Sequence, residues 1–179
     1  MLFRSAGKVA VPKRGNDYGA LLGFWACEIG AMGCVFNLWE HVSVATREGL
    51  RAKLATQDWW RNDYLAHSQP LMRRQLSRLL VPLAAPKPPT TAGHLYHQRI
   101  FRTRAGTTQA FARILHDAFS EAVATWTGNT GDVNEVVHLM AHPKNANFED
   151  VAQAPRWREF LKQHGAMVED VQSSLMQPV

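Results

Sequence analysis

The side chains best suited to chemistry sit on two alternating segments. In residues 133–140, Val137 and Leu139 share one strand face, and Val136, His138 and Met140 share the other. In residues 34–41, Phe36 and Leu38 oppose Val35, Asn37 and Trp39. If the aliphatic and Phe set meets the helices, then Asn37, Trp39, His138 and Met140 line a barrel interior, joined by Arg99 from another strand. There, a histidine and a guanidinium among apolar walls would orient a carboxylate or enolate. The plainer and favoured reading is an interior histidine whose hydrogen bonds stabilise the contact between sheets.

Other groupings are weaker. His138-Leu139-Met140-Ala141-His142 has the two-histidine spacing of a helical zinc-protease motif, but Leu139 stands where the catalytic Glu belongs and the segment reads as strand. The turn residues Gly128, Asn129, Thr130 and Gly131 lack the following Lys-Ser/Thr of a phosphate loop and read as a hairpin turn. Cys27 and Cys34 flank another hairpin, not directly opposite by our turn placement, and are expected to be free buried thiols. Arg73, Arg74 and Arg78 read as a solvated edge that discourages wrong pairing. The acid pairs Glu149-Asp150 and Glu169-Asp170 suit helix boundaries. No Ser/His/Asp grouping, metal-ligand cluster or pair of poised carboxylates emerges, so the sequence supports neither a catalytic residue nor a cofactor nor a metal.

The positioning elements come from a duplication. The chain has 179 residues, 46% apolar and 20% charged, enough for a packed core. Residues 84–93 are rich in Pro and small residues and read as a linker. A shift of 101 residues then aligns Trp25 with Trp126, Gly30 with Gly131, Val35 with Val136, Leu38 with Leu139 and His41 with His142. Farther on, a shift of 97 sets Trp60 against Trp157. The second unit, 94–179, reads as a strand at 95–104, a helix with Phe111, Ile114, Leu115, Ala118 and Phe119 on one face, a hairpin of 123–127 and 133–142, a helix from Pro155, and a strand near 171–176. That is β-α-β-β-α-β, the ferredoxin-like unit. The first unit, 19–83, shows only the back half: strands at 21–29 and 34–41, a helical region at 43–72 and a strand at 75–83. An open sheet edge or an uncovered face is expected where its first strand and helix are missing.

These residues resemble the NIPSNAP family, with its tandem ferredoxin-like repeats of the dimeric α+β barrel class. The resemblance is carried by Tyr96-His97-Gln98-Arg99-Ile100-Phe101, Ala105-Gly106, Gly23-Phe24-Trp25, Gly30, Val35-Phe36-Asn37-Leu38-Trp39 and Val136-Val137-His138-Leu139-Met140. Asn37 stands where the family often has His, and Met140 where it often has Trp. The resemblance implies an α+β fold of two ferredoxin-like repeats, the first lacking its initial strand and helix, with the sheets packed as a barrel. It also implies a non-catalytic mitochondrial protein-interaction module. Its partner would be a protein or a second copy completing the first repeat, within a larger complex or in mitochondrial quality control and membrane traffic. The competing expectation is a small-molecule-binding or monooxygenase-type α+β barrel enzyme.

Charge fits this reading. The net charge is +5, and Arg4, Lys8, Lys13 and Arg14 supply four of those five. The basic balance is therefore a property of residues 1–18, a tail or mitochondrial presequence, and no nucleic-acid partner is expected. Pro12 and Gly15 should end any helix there early. No apolar run approaches the roughly 20 residues of a transmembrane helix.

Overall fold

The structure, a computed structural model, describes residues 7, 10–87, 94–143, 145–146, 151 and 154–179. Arg4, Lys8, the later part of the linker at 88–93 and the Glu149-Asp150 pair lie outside the described residues. Contacts divide the chain into two units, one comprising Met1–Ala26, Val35–Leu76 and Val179, the other Cys27–Cys34 and Ser77–Pro178.

In the first unit residues 10–14 are helical. That helix stops at Gly15, whose φ of 52° is the left-handed conformation that closes helices, with its N–H donated to the Val11 carbonyl at 3.1 Å. Strand β1 (Ala20–Ile29) and strand β2 (Val35–Glu40) pair antiparallel, with Trp25 opposite Phe36 and Ala26 opposite Val35. Ser43 then caps helix α1 (Val44–Ala55), its side chain accepting the Thr46 N–H at 3.0 Å. The helical region expected over 43–72 continues beyond α1, helical backbone resuming at residue 58 and running through the π-helical segment Trp60–Leu65 to Leu71. Of α1, only Leu54 is buried.

The second unit holds strand β3 (Leu80–Pro82), strand β4 (His94–Thr103), helix α2 (Thr108–Ala118), strand β5 (Ala124–Gly128), strand β6 (Glu135–Pro143), helix α3 (Pro155–His164) and strand β7 (Val168–Pro178). Strand order is β7-β4-β6-β5-β3, and β4 at the centre pairs antiparallel with both β6 and β7. From β4 to β7 this is the complete β-α-β-β-α-β unit read from the sequence. Spacings of three and four put Phe111 and Leu115 of α2 on one face. They meet Phe101 and Val136 from the sheet and Trp157 and Phe160 from α3 in one core. The turn between β5 and β6 uses Gly131 at φ 81°.

Two details differ from the expected pattern. The strand expected over 75–83 shrinks to the three residues of β3, an edge position that tolerates Pro82. Though it ends the first sequence repeat, β3 pairs with β5, Leu80 opposite Gly128. Likewise the end of β1 belonging to this unit neighbours β7. The last strand of the first repeat thus lies beside β5 of the second. Gly30 follows that end of β1 with φ 100°, and a Cβ there would lie 2.3 Å from the Ser173 carbonyl oxygen. Gly30→Ala therefore meets both a disfavoured dihedral and backbone. We expect a loss of about 2 kcal/mol, read from the urea midpoint; an unchanged midpoint would contradict this contact.

Candidate functional site

Strand alternation places His97, Arg99 and Phe101 of β4 on one face, and pairing sets Arg99 opposite His138 and His97 opposite Met140 of β6. This face meets the helices. Phe101, Val136 and Met140 belong to the core formed with α2 and α3, and His138 lies 5.8 Å from the Phe119 ring and 5.5 Å from the Trp157 ring, centroid to centroid. The Arg99 guanidinium stacks 3.7 Å over Trp157 and donates to the Val151 carbonyl at 3.2 Å.

The expected face assignment is therefore corrected. Val137 and Leu139 do not meet the helices; Arg99, His138 and Met140 do. The physical reason is that both sets are buried, Val137 and Leu139 at 4% and 3% exposure against 0% for His138. Apolar character cannot tell two buried faces apart. In the first unit Asn37 is exposed and Trp39 half-buried. There the Trp39 Nε1 donates to Asn37 Oδ1 at 3.1 Å, and the Arg14 guanidinium lies 3.4 Å over the Trp39 ring.

Sequence reasoning missed His97 as a member of this cluster. It is fully buried beside Arg99 and shares a hydrogen bond with Ser173 Oγ of β7. The signal was present in the two-residue spacing of His97, Arg99 and Phe101. His138 shares its Nδ1 with the Thr125 hydroxyl of β5 at 2.9 Å, and the His142 ring lies 6.2 Å from that of His97.

Electrostatics follow from burial. Desolvation, reinforced by the Arg99 charge, lowers His138 to about 3 and His97 to about 3, and lowers His142 too. Burial also lowers Arg99 to about 9. At neutral pH the cluster is one cation among neutral imidazoles. Imidazoles with such low pKa values are poor general bases, because an effective base titrates near working pH. Among the described residues no three His, Cys, Asp or Glu side chains converge to hold a metal ion.

Beside the cluster the second unit has a cleft of about 430 Å³, lined by Phe119, Met140, His142, Val151, Arg156 and Trp157 among others. Of the five side chains singled out in the sequence, only Met140 lines it. Arg156 at its rim is held by Glu121 at 2.5 Å and stacks over Phe119 at 4.5 Å. No described helix is long and apolar enough to cross a membrane.

A complete β-α-β-β-α-β unit with the last strand of a shortened copy paired at its edge defines an α+β protein of tandem ferredoxin-like repeats. The family model that matches is NIPSNAP, over residues 4–86 and 96–179, one segment for each repeat, and the chain belongs to the NIPSNAP family. Among curated proteins it is 29% identical over 109 residues to Protein NipSnap homolog 3A of Homo sapiens, and equally to that of Pongo abelii. Each match covers 59% of this chain but only 42% of the relative's length. Two solved structures named "Putative monooxygenase" share the fold at 13% identity. That from Fusobacterium nucleatum has a TM-score of 0.66 and that from Lactobacillus acidophilus 0.64, each over 98% of this chain and 84% of the other.

Proposed function

We propose that this chain is a non-catalytic, mitochondrial NIPSNAP-family module that works by protein interaction, its first repeat completed by a protein partner or a second copy. The larger setting we propose is a mitochondrial complex, or quality control and membrane traffic. One observation carries the reading. In the second repeat β6 is paired on both sides, with β4 and β5, whereas among the described residues its counterpart β2 pairs with β1 alone. Cys27 donates its N–H to the Cys34 carbonyl. By alternation Val35 and Asn37 then turn their backbone N–H and C=O to the outer edge of β2. An exposed edge of this kind recruits an added strand.

The test is affinity purification from mitochondria followed by native-size analysis of wild type and Asn37→Pro. Asn37 is exposed and proline removes the outward N–H. Wild type is expected in a species larger than one chain and the variant is expected to lose it. Wild type running as a free monomer would contradict the reading.

A small-molecule-binding or monooxygenase-type reading has the 430 Å³ cleft in its favour. It is the weaker reading because His138 and Arg99, the groups with catalytic potential, pack against Trp157 instead of lining that cleft.

A further inference from the structure

Cys27 and Cys34 close the hairpin between β1 and β2. The register that sets Ala26 opposite Val35 continues one step to set Cys27 opposite Cys34, and the Cys27 N–H reaches the Cys34 carbonyl at 3.0 Å. The expectation that these residues are not directly opposed is thus corrected, because the register sets Cys27, not Ile29 at the end of β1, against Cys34. Opposed residues of an antiparallel pair project their side chains to one face, with Cα atoms about 4.5–5.5 Å apart; here the pair shares one ladder bond, the Cys34 N–H going to the Ala31 carbonyl at 3.1 Å. That lies within the roughly 4.4–6.8 Å separation that a disulfide spans.

The two thiols differ in access. Cys34 is exposed, whereas Cys27 is buried and donates its Sγ–H to the Ile29 carbonyl at 3.1 Å. Both are free thiols in this structure. The turn between them contains Gly30 and Gly33 at positive φ, and Met32 at its tip is 76% exposed. Small oxidants therefore reach Cys34 first.

We propose that Cys34 and Cys27 form a thiol modification site for low-molecular-weight disulfides, Cys34 as the attacking thiol and Cys27 as the resolving one. The Cys34 thiolate attacks one sulfur of oxidised glutathione, forming a mixed disulfide and releasing one glutathione thiolate. The Cys27 thiolate then attacks Cys34 Sγ, closing the cross-strand disulfide and expelling the second glutathione. Two protein thiols are oxidised and one glutathione disulfide is reduced to two thiols, so electrons balance without another reactant. Burial, the largest influence on Cys27, raises its pKa. Hence the closing step quickens as pH rises.

The experiment incubates the full chain with oxidised glutathione, quenches by alkylation and measures intact mass. Wild type is expected to end about 2 Da lighter with neither thiol alkylated. Cys27→Ser should stop with one glutathione on Cys34, and Cys34→Ser should stay unmodified. A wild-type product that keeps its glutathione, remains fully alkylatable or crosslinks between chains would overturn the proposal. So would Cys34→Ser acquiring glutathione as fast as Cys27→Ser does.

Discussion

Lowering the pH from 7 to 5 is expected to destabilise the fold by about 2 kcal/mol for each of His97 and His138, more than any exposed ion pair contributes. Both imidazoles are fully buried and sit at about 3 in the fold, against an ordinary value near 6.5. The unfolded chain therefore binds more protons between these values. Stability is full above about 6.5 and drains as pH falls toward 3. His142 and His41, also lowered by burial, act in the same direction. Glu135 is raised by burial and acts oppositely. Urea midpoints at pH 7 and pH 5 measure the loss. His138→Phe removes one of the two largest contributors and keeps an aromatic between Phe119 and Trp157. It should start lower at pH 7, since Thr125 loses its partner, yet fall less between the two pH values. A wild-type midpoint that does not move, or a variant that falls as steeply, would refute the assignment.

Why these histidines were misplaced, while their elements were read correctly, has a physical answer. The β-α-β-β-α-β order was legible because each element carries its own period. Phe111, Ile114 and Leu115 recur as a helix face, and a glycine with positive φ marks the hairpin at Gly131. Such signals are local. Which face of β6 meets the helices is not local, because Val137 and Leu139 are as buried as Val136 and Met140. The partner of β3 is equally nonlocal. Its duplicated sequence assigns it to the first repeat, yet its hydrogen bonds go to β5. The cysteine pair lay between these cases. Its opposition depended on a turn boundary: strands meeting at a turn of residues 30–33 would set Cys34 opposite Ile29, whereas the observed register sets it opposite Cys27.

Trp157→Ala is expected to destabilise the fold by about 3–5 kcal/mol, the range for a large aromatic removed from a core. Trp157 is 3% exposed and stacks on Phe119 at 3.9 Å with only 11° between the ring planes. Phe101, Phe160 and His138 pack around it, and Arg99 lies 3.7 Å over its face. Removing the ring therefore leaves a void and also strips the aromatic surface from a buried cation. The repeat supplies an internal control. Trp60 aligns with Trp157 in sequence and stacks on Tyr64 at 4.4 Å, with the Arg14 guanidinium 5.8 Å away. The ring and the arginine recur, but Trp60 is half-buried, and its segment contains no fully buried neighbour before Ser68. Trp60→Ala should cost about 1–2 kcal/mol, because a partly exposed site leaves less void and water refills it. Chemical denaturation of the two variants side by side measures the difference. Equal losses would mean that the shortened repeat packs as tightly as the complete one, against the burial that distinguishes them.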